Sequence, residues 1–351
     1  MSDRYHIIAR SDVGKLAWNT FVDTSDEAWL WHLYDLPDTV ATWHGSKDCS
    51  FALLDRLTNN QIVALLPLRQ INRKAIGLFP VYILESLAGP AIRNSVSPKE
   101  KRNIEKAIGN YLSVLAKKFT CLEIRLFTSP MAPVFRGERC PLVNPLLDFG
   151  CENTLTQTWV VDLRSGKDAV WSRLDGRART AIRKAEKDGV ITRQATTNDL
   201  EIYYRLHVET YQRTGVTPHP YSYFKNIWDK FLSHNLAQIW IAELDGTPIA
   251  AENFAVYKNA AVYWTGASTQ KGLEVEANSI LQWTAIQSLI EAGIEFYETG
   301  EAFPQAKEGK RKGLNDFKKS FGGKMYPFYR GKIAGKTWFN AGYKILQTLR
   351  S

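Results

Sequence analysis

The chain repeats one order of predicted elements in its two halves, and this repetition limits the folds open to it. In the first half, SFALLDRLTNNQIVALLPL predicts two strands around an Asn-Asn turn, and QIWIAELDGTPIAAENFAV predicts the same around Asp245-Gly246. In each half a strand that ends at a glycine follows, at Gly89 and at Gly266, and then come a helix and a short strand. We interpret this as a duplicated α/β unit, with chance similarity between two common patterns as the alternative.

Two prolines, Pro141 and Pro145, interrupt a stretch without periodicity and mark the boundary between the halves. We therefore predict two tandem α/β (α+β) domains, residues 1–150 and 151–351, each with a mixed, mainly antiparallel sheet flanked by helices. TWVVDL predicts a strand that opens the second domain. The following KDAVWSRLDGRARTAIRKAEKDG predicts one helix that ends at Gly189.

The cysteines and the apolar runs exclude several classes of protein. Four cysteines without a CxxC pair argue against a zinc site or a disulfide framework in this 351-residue chain. The first residues lack the pattern of a secretory signal, and no apolar run approaches the length of a membrane span. We therefore predict a cytoplasmic protein without a metal or a cofactor.

The net charge of +9 is concentrated in two segments. Ten basic residues against two acids lie between Lys307 and Lys336, and nine basic residues against four acids lie between Arg164 and Arg193. Such a local excess favours polyanionic ligands such as phosphates, RNA or anionic lipid. An ordinary solvated surface is the alternative.

Five motifs occur in order in the second half: WSRLDGRARTAIRKAEKDGV, LHVETYQRTGV, YWTGAS, EAGIEFYETG and GLNDFKKSFGG. The repeated order of hairpin, strand, helix and strand is that of the GNAT acyltransferase fold, and the five motifs resemble the FemABX family of tandem-GNAT aminoacyltransferases. The resemblance is strongest from Trp159 to Arg330. It implies transfer of an amino acid from aminoacyl-tRNA to an amine of a cell-envelope precursor, or of a small-molecule, peptide or lipid-linked acceptor. The first domain would form a wall of the acceptor cleft, and the second would bind the donor and carry the catalytic residues.

In the family, a Phe-Lys pair lies beside the reacting centre, and here that pair is Phe317-Lys318. Because a fixed cation stabilises the negative charge that develops on the ester carbonyl, the resemblance makes Lys318 the candidate for charge stabilisation. Phe317 is the candidate for packing at the site. The alternative for Lys318 is ordinary exposure on the surface.

The attacking amine needs a base, which the substrate itself or a carboxylate could supply. Glu298 and Glu301 follow a predicted buried strand, and Glu252 lies in the second hairpin. A carboxylate at a strand end is suited to proton transfer. Ion pairing with neighbouring lysines is the alternative role.

Acceptor recognition departs from the family pattern at one position. Compact members tend to carry an Arg four residues before the Tyr of a YF pair, where it binds the acceptor's diphosphate. In HPYSYF, His219 stands at the Arg position and Tyr223 at the Tyr position. Neutral histidine lacks the bidentate fork of arginine, which argues against a nucleotide-linked acceptor, and an ordinary loop residue is the alternative for His219. The remaining candidates for substrate or RNA binding are Arg183, Arg213, Tyr263, Trp264, Arg311, Lys312 and Lys319.

Two other functions stay open. An acyl-CoA-dependent GNAT N-acyltransferase acting on a sugar or peptide amine would need a pyrophosphate loop. The loop STQKGLEVEANSI has Gly272 but the wrong spacing, and Glu274 and Glu276 would repel a pyrophosphate. A non-catalytic protein that binds RNA or a membrane surface is the other alternative, because residues 335–350 predict an amphipathic helix suited to peripheral contact with anionic lipid.

Overall fold

The chain folds into two units, and it enters the first of them twice. The structure is a computed structural model that describes residues 4–76, 79–118, 120–154 and 156–335. The first unit takes the described residues up to Thr156 and those from Phe328 onward, and the second runs from Gln157 to Pro327. The sequence predicted a boundary after residue 150, whereas the structure has it after Thr156. The sequence also predicted that the C-terminal segment belongs to the second domain, whereas the described residues from Phe328 onward belong to the first unit.

The first unit is built from small sheets and the helices that pack on them. Its described elements up to the boundary are β1 (Tyr5–Ala9), α1 (Arg10–Val13), α2 (Lys15–Thr24), α3 (Leu36–His44), β2 (Lys47–Asp48), β3 (Phe51–Asp55), β4 (Gln61–Leu66), β5 (Arg69–Ile76), β6 (Phe79–Ser86), β7 (Ala91–Ile92), α4 (Pro98–Ala116), β8 (Cys121–Phe127) and β9 (Glu152–Asn153). Its core contains fully buried side chains such as Leu53 on β3, Ile108 on α4 and Ile124 on β8. α4 begins where Ser97 accepts a hydrogen bond from the main-chain N–H of Glu100, as an N-cap residue does.

The second unit is built around one sheet with helices on both faces. Its described elements are β10 (Thr156–Asp162), α5 (Lys167–Arg173), α6 (Gly176–Lys187), β11 (Ile191–Gln194), α7 (Leu200–Arg213), α8 (Tyr221–Lys230), β12 (Ala237–Leu244), β13 (Thr247–Tyr257), β14 (Ala260–Ser268), α9 (Gln270–Glu274), α10 (Ala277–Glu291), β15 (Phe296–Glu301), α11 (Gly309–Lys319) and β16 (Lys324–Phe328). The strand order is β11-β12-β13-β14-β15-β10-β16. α5, α6 and α10 pack on one face, and α7 and α8 pack on the other.

The chain then returns to the first unit as β17 (Arg330–Ala334). β17 pairs antiparallel with both β8 and β9, so it lies inside a six-stranded sheet of order β2-β5-β6-β8-β17-β9. The other sheet of this unit has the order β1-β3-β4-β7. Because β17 forms main-chain hydrogen bonds with β8 and β9, it belongs to the first unit.

The two units repeat the predicted order of hairpin, strand, helix and parallel strand. In the first unit β6 and β8 pair in parallel around α4, and in the second β14 and β15 pair in parallel around α10. The turn between β12 and β13 consists of Asp245 and Gly246, with φ values of +50° and +73°, as a type I′ hairpin requires. The predicted fold class, two tandem α/β units with mixed, mainly antiparallel sheets, is confirmed.

The stretch predicted as one helix ending at Gly189 forms two helices instead. α5 ends at Arg173 and α6 begins at Gly176, because the side chain of Asp175 accepts a hydrogen bond from the main-chain N–H of Arg177 at 2.9 Å. An aspartate in this position caps a new helix. The predicted end is correct, since Gly189 follows α6 with φ of +83°.

The aromatic residues near the C-terminus lie at the change of unit. Phe328 ends β16, and its ring centre lies 6.2 Å from that of Phe127. The next residue, Tyr329, is buried. Of the predicted amphipathic helix, residues 336–350 lie outside the described part of the chain. None of the helices in the described ranges combines the length and the apolar character needed to cross a membrane.

Candidate functional site

The parallel strands β14 and β15 lie side by side at one end and separate at the other. They pair only over Ala260–Val262 and Phe296–Glu298. Beyond these residues, in the part of the chain that the structure describes, β14 pairs only with β13, and β15 pairs only with β10. At this divergence the second unit has a pocket with a volume of ≈ 270 Å³. That is close to the lower limit of the usual range for small-ligand pockets, about 300–1,000 Å³. Its walls include Tyr263, Asn278, Gln282, Thr299, Phe317 and Lys318.

A β-bulge in β15 shapes one wall of the pocket. The pairing of β15 with β10 shifts so that Thr299 is an extra residue, and the next residue, Gly300, has φ of +108°. A Cβ atom on Gly300 would lie 2.9 Å from Nζ of Lys318. Glycine here therefore permits the bulge and also leaves the space that the lysine side chain occupies.

Lys318 reaches the pocket from the last turn of α11. Its Nζ donates a hydrogen bond to the main-chain carbonyl of Glu301 at 3.1 Å and lies 5.5 Å from the ring centre of Phe303. Burial lowers the pKa of Lys318, while the charges of Glu298 and Glu301 oppose that shift. A cation in such a partly desolvated place acts more strongly on nearby charge than it would in water.

α11 is anchored by side chains that keep Lys318 in place. The side-chain carbonyl of Asn315 accepts two hydrogen bonds, from Nε1 of Trp159 at 3.0 Å and from the main-chain N–H of Phe303 at 2.9 Å. Phe317 lines the pocket and packs edge-on against Phe321, with ring centres 5.1 Å apart. The predicted Phe-Lys pair therefore lies at the pocket, with the aromatic ring against the core.

The two predicted carboxylates of β15 differ in burial. Glu298 is buried, and its Oε1 accepts a hydrogen bond from the hydroxyl of Thr158 at 2.6 Å. Glu301 is half-buried at the end of the strand. Both lie close enough to Lys318 to favour its charged form. Their role as a general base stays a prediction.

Glu252, the third carboxylate, lies inside the second unit on β13. It is fully buried, and its Oε2 accepts a hydrogen bond from Nε2 of Gln282 at 2.8 Å. The hydroxyl of Tyr297 donates to Oε1 of the same glutamine at 2.6 Å. Burial raises the pKa of Glu252 well above its usual value, so its carboxyl group holds a proton where an exposed glutamate would be ionised. Gln282 lines the pocket, so this series of buried hydrogen bonds extends to the pocket wall.

Tyr263 of β14 is the aromatic residue that lines the pocket where the strands diverge. A Cβ atom on Gly266 would lie 1.9 Å from its hydroxyl oxygen, so the glycine leaves the space that the ring needs. Burial raises the pKa of the Tyr263 phenol well above its usual value. The hydroxyl is therefore a neutral hydrogen-bonding group.

Other predicted substrate contacts have partners within the second unit instead. His219 is buried, its main-chain N–H donates to Nε2 of His207 at 3.0 Å, and burial lowers the pKa of His207 to about 3. The hydroxyl of Tyr223 accepts a hydrogen bond from Nε1 of Trp264 at 2.9 Å. Arg213 donates to the main-chain carbonyl of Ser268 at 2.8 Å. These side chains belong to or border the α7–α8 face of the sheet, and a role in acceptor binding stays a prediction.

The predicted basic residues lie on the surface of α6 and α11. Arg183 lies over the ring of Trp171 at 5.6 Å, and Arg311 lies over Phe303 at 5.8 Å. Lys312 forms an ion pair with Asp316 at 2.5 Å. Lys319 is exposed beside Lys318. α11 thus presents positive charge to solvent and a lysine to the pocket.

Several residues that form the pocket were not singled out from the sequence. Gln282 and Asn278 lie in α10, whose apolar pattern indicates a buried helix, so their polar side chains gave no separate signal. Thr299 lines the pocket as the extra residue of the bulge, and a bulge is not visible in an alternating strand pattern. Gly300 could have been found, since a glycine inside a strand pattern indicates a bulge or a close approach.

Three comparisons with known proteins bear on this site. The family described as "Acetyltransferase (GNAT) domain" matches residues 172–319, which include the pocket residues. No curated protein matches the sequence significantly. Solved structures match along nearly the whole chain at low identity.

A crystal structure of FemX matches with a TM-score of 0.64 and 15% identity, covering 93% of this chain and 96% of that one. The C-terminal domain of a putative lysylphosphatidylglycerol synthetase from Agrobacterium fabrum matches with a TM-score of 0.57 and 14% identity, covering 97% and 98%. A tandem GNAT protein from the clavulanic acid biosynthesis pathway matches with a TM-score of 0.50 and 11% identity, covering 94% and 98%. At these identities the likeness concerns the fold. The chain therefore has the fold of tandem GNAT proteins, and residues 172–319 of its second unit match the GNAT acetyltransferase domain.

Proposed function

We propose that this protein transfers an amino acid from aminoacyl-tRNA to an amine of a cell-envelope precursor, or of a small-molecule, peptide or lipid-linked acceptor, in the cytoplasm. The observation that carries the proposal is the position of Lys318. Its ammonium group lies at the wall of the pocket formed where β14 and β15 separate, in the space left by Gly300. The same lysine belongs to the Phe-Lys pair through which the sequence resembles the FemABX aminoacyltransferases.

The chemistry requires little more than positioning and charge stabilisation. An amine attacks the carbonyl carbon of the aminoacyl ester, and negative charge develops on the carbonyl oxygen. The ester C–O bond then breaks as the amide bond forms, and the proton lost by the amine passes to the leaving ribose oxygen. Lys318 can donate a hydrogen bond to that carbonyl oxygen, and a preorganised donor of this kind commonly lowers the activation barrier by about 3–4 kcal/mol. Glu298 and Glu301 help to keep the lysine charged.

The charged surface of α11 supports RNA as the carrier of the acyl group. α11 exposes Lys310, Arg311, Lys312 and Lys319 to solvent and contributes Lys318 to the pocket. A helix of 11 residues is about 16 Å long, so phosphates bound along α11 are near the pocket. Lysine and arginine contacts to phosphates supply most of the affinity in binding of this kind.

The acidic residues at the start of α10 argue for RNA rather than coenzyme A. Glu276 is the N-cap residue of α10 and lines the pocket, and Glu274 lies two residues before it. In an acyl-CoA enzyme the N-terminus of a helix holds the pyrophosphate through free main-chain N–H groups. Carboxylates in this place repel a pyrophosphate.

An acyl-CoA-dependent N-acyltransferase is the second candidate. The match of residues 172–319 to an acetyltransferase domain favours it. The two candidates differ in the donor but share the fold, the pocket and an amine as acceptor. A measurement of the donor therefore separates them.

The test is filter binding of the purified protein to a pool of charged tRNA, with labelled acetyl-CoA in parallel. We expect retention of the charged tRNA that weakens by orders of magnitude between about 50 and 200 mM salt, and no retention of acetyl-CoA. Retention of acetyl-CoA without tRNA would overturn the aminoacyl-tRNA proposal and support the second candidate. If tRNA is retained, transfer of a labelled amino acid to added amines identifies the acceptor.

A further inference from the structure

The first turn of α10 forms a wall of the pocket that is rich in hydrogen-bond acceptors. Glu276, Asn278 and Ser279 all line the pocket. Glu276 has φ of +59°, an uncommon conformation for a residue other than glycine, and the hydroxyl of Ser279 donates to its Oε2 at 3.3 Å. The carboxylate is thus held at this wall by its own helix.

Asn278 adds a second acceptor that has no partner. Its Oδ1 is buried and makes no hydrogen bond within the described residues. Buried polar atoms in folded proteins are nearly always hydrogen-bonded, and an exception at a binding site indicates a group that arrives with the ligand. A lone carbonyl-type oxygen needs a donor, so it points to a ligand that brings N–H or O–H groups.

The negative charge of this wall favours a cationic ligand over an anionic one. The N-terminus of a helix ordinarily favours an anion, because its main-chain N–H groups point outward. Here the carboxylate of Glu276 stands at that end and offsets the positive potential. A phosphate or pyrophosphate would bring only negative charge and acceptors, and it would leave Oδ1 of Asn278 unsatisfied. An ammonium group would bring positive charge and three donors.

We propose that Glu276 and Asn278 bind the α-ammonium group of the acyl donor, so that the pocket selects aminoacyl groups over simple acyl groups. The inference rests on the proposed function only in taking this pocket as the place where the acyl group is held. An aminoacyl ester carries its ammonium group on the carbon next to the carbonyl. A pocket lined by both Glu276 and Lys318 therefore offers a carboxylate to the ammonium group and an ammonium group to the carbonyl oxygen.

The test uses small amides and does not need tRNA. Binding of L-alaninamide, which has the α-ammonium group, is compared by calorimetry with binding of propionamide, which has the same carbon skeleton and lacks that group. At about pH 6.5 the amine is charged, because an α-amino group has a pKa of about 8. We expect L-alaninamide to bind at least about tenfold more tightly than propionamide.

Two variants locate the effect. Glu276→Gln keeps the size of the side chain and removes its charge, so it should weaken L-alaninamide binding about tenfold or more and leave propionamide binding unchanged. Glu274→Gln is the matched control, because Glu274 is exposed and its removal changes the net charge equally. It should change neither affinity. Melting temperatures of both variants show that each is folded.

Equal affinity for the two amides would overturn the inference, and so would undetectable binding of L-alaninamide. The inference would also fail if Glu274→Gln weakened L-alaninamide binding as much as Glu276→Gln does. These results are independent of the donor assay. If the protein retains acetyl-CoA but binds L-alaninamide through Glu276, the proposed function fails while the ammonium site stands. If it retains charged tRNA but does not distinguish the amides, the proposed function stands and the ammonium site fails.

Discussion

The two units contain equivalent pairs of parallel strands, β6 with β8 and β14 with β15, whose ends differ. In the first unit, β6 and β8 stay paired as far as Ser86 and Leu126. Past the end of β6, the main chain of Gly89 lies against that of Phe127, so that a Cβ atom on the glycine would be 2.6 Å from the Phe127 carbonyl oxygen. The strands and the loop after them are therefore packed together.

In the second unit, the corresponding pairing of β14 and β15 ends at Val262 and Glu298. The register of β15 against β10 shifts at Thr299, just past this point, and Lys318 fills the space beside Gly300. The same topology thus gives a closed strand pair in one unit and an open pocket in the other. The difference comes from a few residues at the strand ends, while the order of elements stays the same.

Removing the charge of Lys318 is the most direct test of this difference between the two units, because the pocket remains but its cation is lost. Lys318→Met should lower the rate of acyl transfer by about 100-fold or more, with little change in melting temperature. Single-turnover rates of amide formation measure the effect. Lys225→Met is a suitable control, since Lys225 is exposed on α8, where it pairs with Asp229. A near-normal rate in Lys318→Met would refute charge stabilisation by this lysine.

The pH dependence sharpens the same prediction. Burial lowers the pKa of Lys318, so the lysine loses its proton at a lower pH than an exposed lysine would. The rate should therefore fall on the alkaline side as the pH rises through this lowered pKa. In Lys318→Met the fall should be absent from the pH profile of the remaining rate.

Closing the space beside the bulge should have the next largest effect. Gly300→Ala puts a Cβ atom 2.9 Å from Nζ of Lys318 at φ of +108°, so we expect a rate loss of about tenfold and a loss of about 1–3 kcal/mol in the free energy of unfolding. Gly246→Ala is the matched control, because its φ is +73° and no atom lies within 4 Å of the added Cβ. It should destabilise the protein without lowering the rate per folded molecule.

The counterpart in the first unit tests whether the closed strand pair has only a structural role. Gly89→Ala should lower the free energy of unfolding by about 1–3 kcal/mol, because φ is +73° and the Cβ atom would meet the Phe127 carbonyl. Urea unfolding measures this change. We expect the rate per folded molecule to be unchanged, and a rate loss like that of Gly300→Ala would mean that the first unit takes part in catalysis.

A smaller effect is expected at the buried acid of the second unit. Counting from the hairpin turn, Glu252 stands where the first unit has the fully buried Leu66. Because burial raises the pKa of Glu252, the folded protein keeps a proton that the unfolded chain releases above about pH 4.5. The contribution of Glu252 to the free energy of unfolding should therefore fall with rising pH above this value, by up to about 1.4 kcal/mol per pH unit until the raised pKa is reached.

Glu252→Gln has no such proton and keeps an oxygen that can accept from Gln282. Its stability relative to wild type should thus increase from about pH 5 to about pH 8, by at least about 1 kcal/mol. Urea unfolding of both proteins at the two pH values measures the difference. A difference that does not change with pH would mean that Glu252 is ionised in the folded protein.

The fold could be predicted from the sequence because local signals repeat. The Asp245-Gly246 turn, the alternating strands and the amphipathic α4 each identify an element without long-range information. Where two local signals compete, the prediction failed: Asp175 caps a second helix inside a stretch that is helical in pattern throughout. The return of β17 to the first unit could not be predicted, because a five-residue strand does not indicate which sheet it joins.

The site was harder to predict, because its residues come from five consecutive elements, β14 to α11, and only the packing of these elements brings their side chains together. Lys318, Phe317 and Tyr263 were singled out through motifs, and all three line the pocket. The motif-based choice of His219 led to a buried residue bonded to His207. Burial of this kind depends on the packing of α7 and α8, which the sequence pattern does not reveal.

The place of β17 in the first sheet has a consequence for biosynthesis. β17 lies between β8 and β9, and β9 pairs with β17 alone within the described residues. On the ribosome, all of the second unit is made before β17 appears. The second unit can therefore complete its sheet while β8 still has an open edge, which is a site for wrong pairing with other chains. The unit that is translated first is thus the last to finish folding.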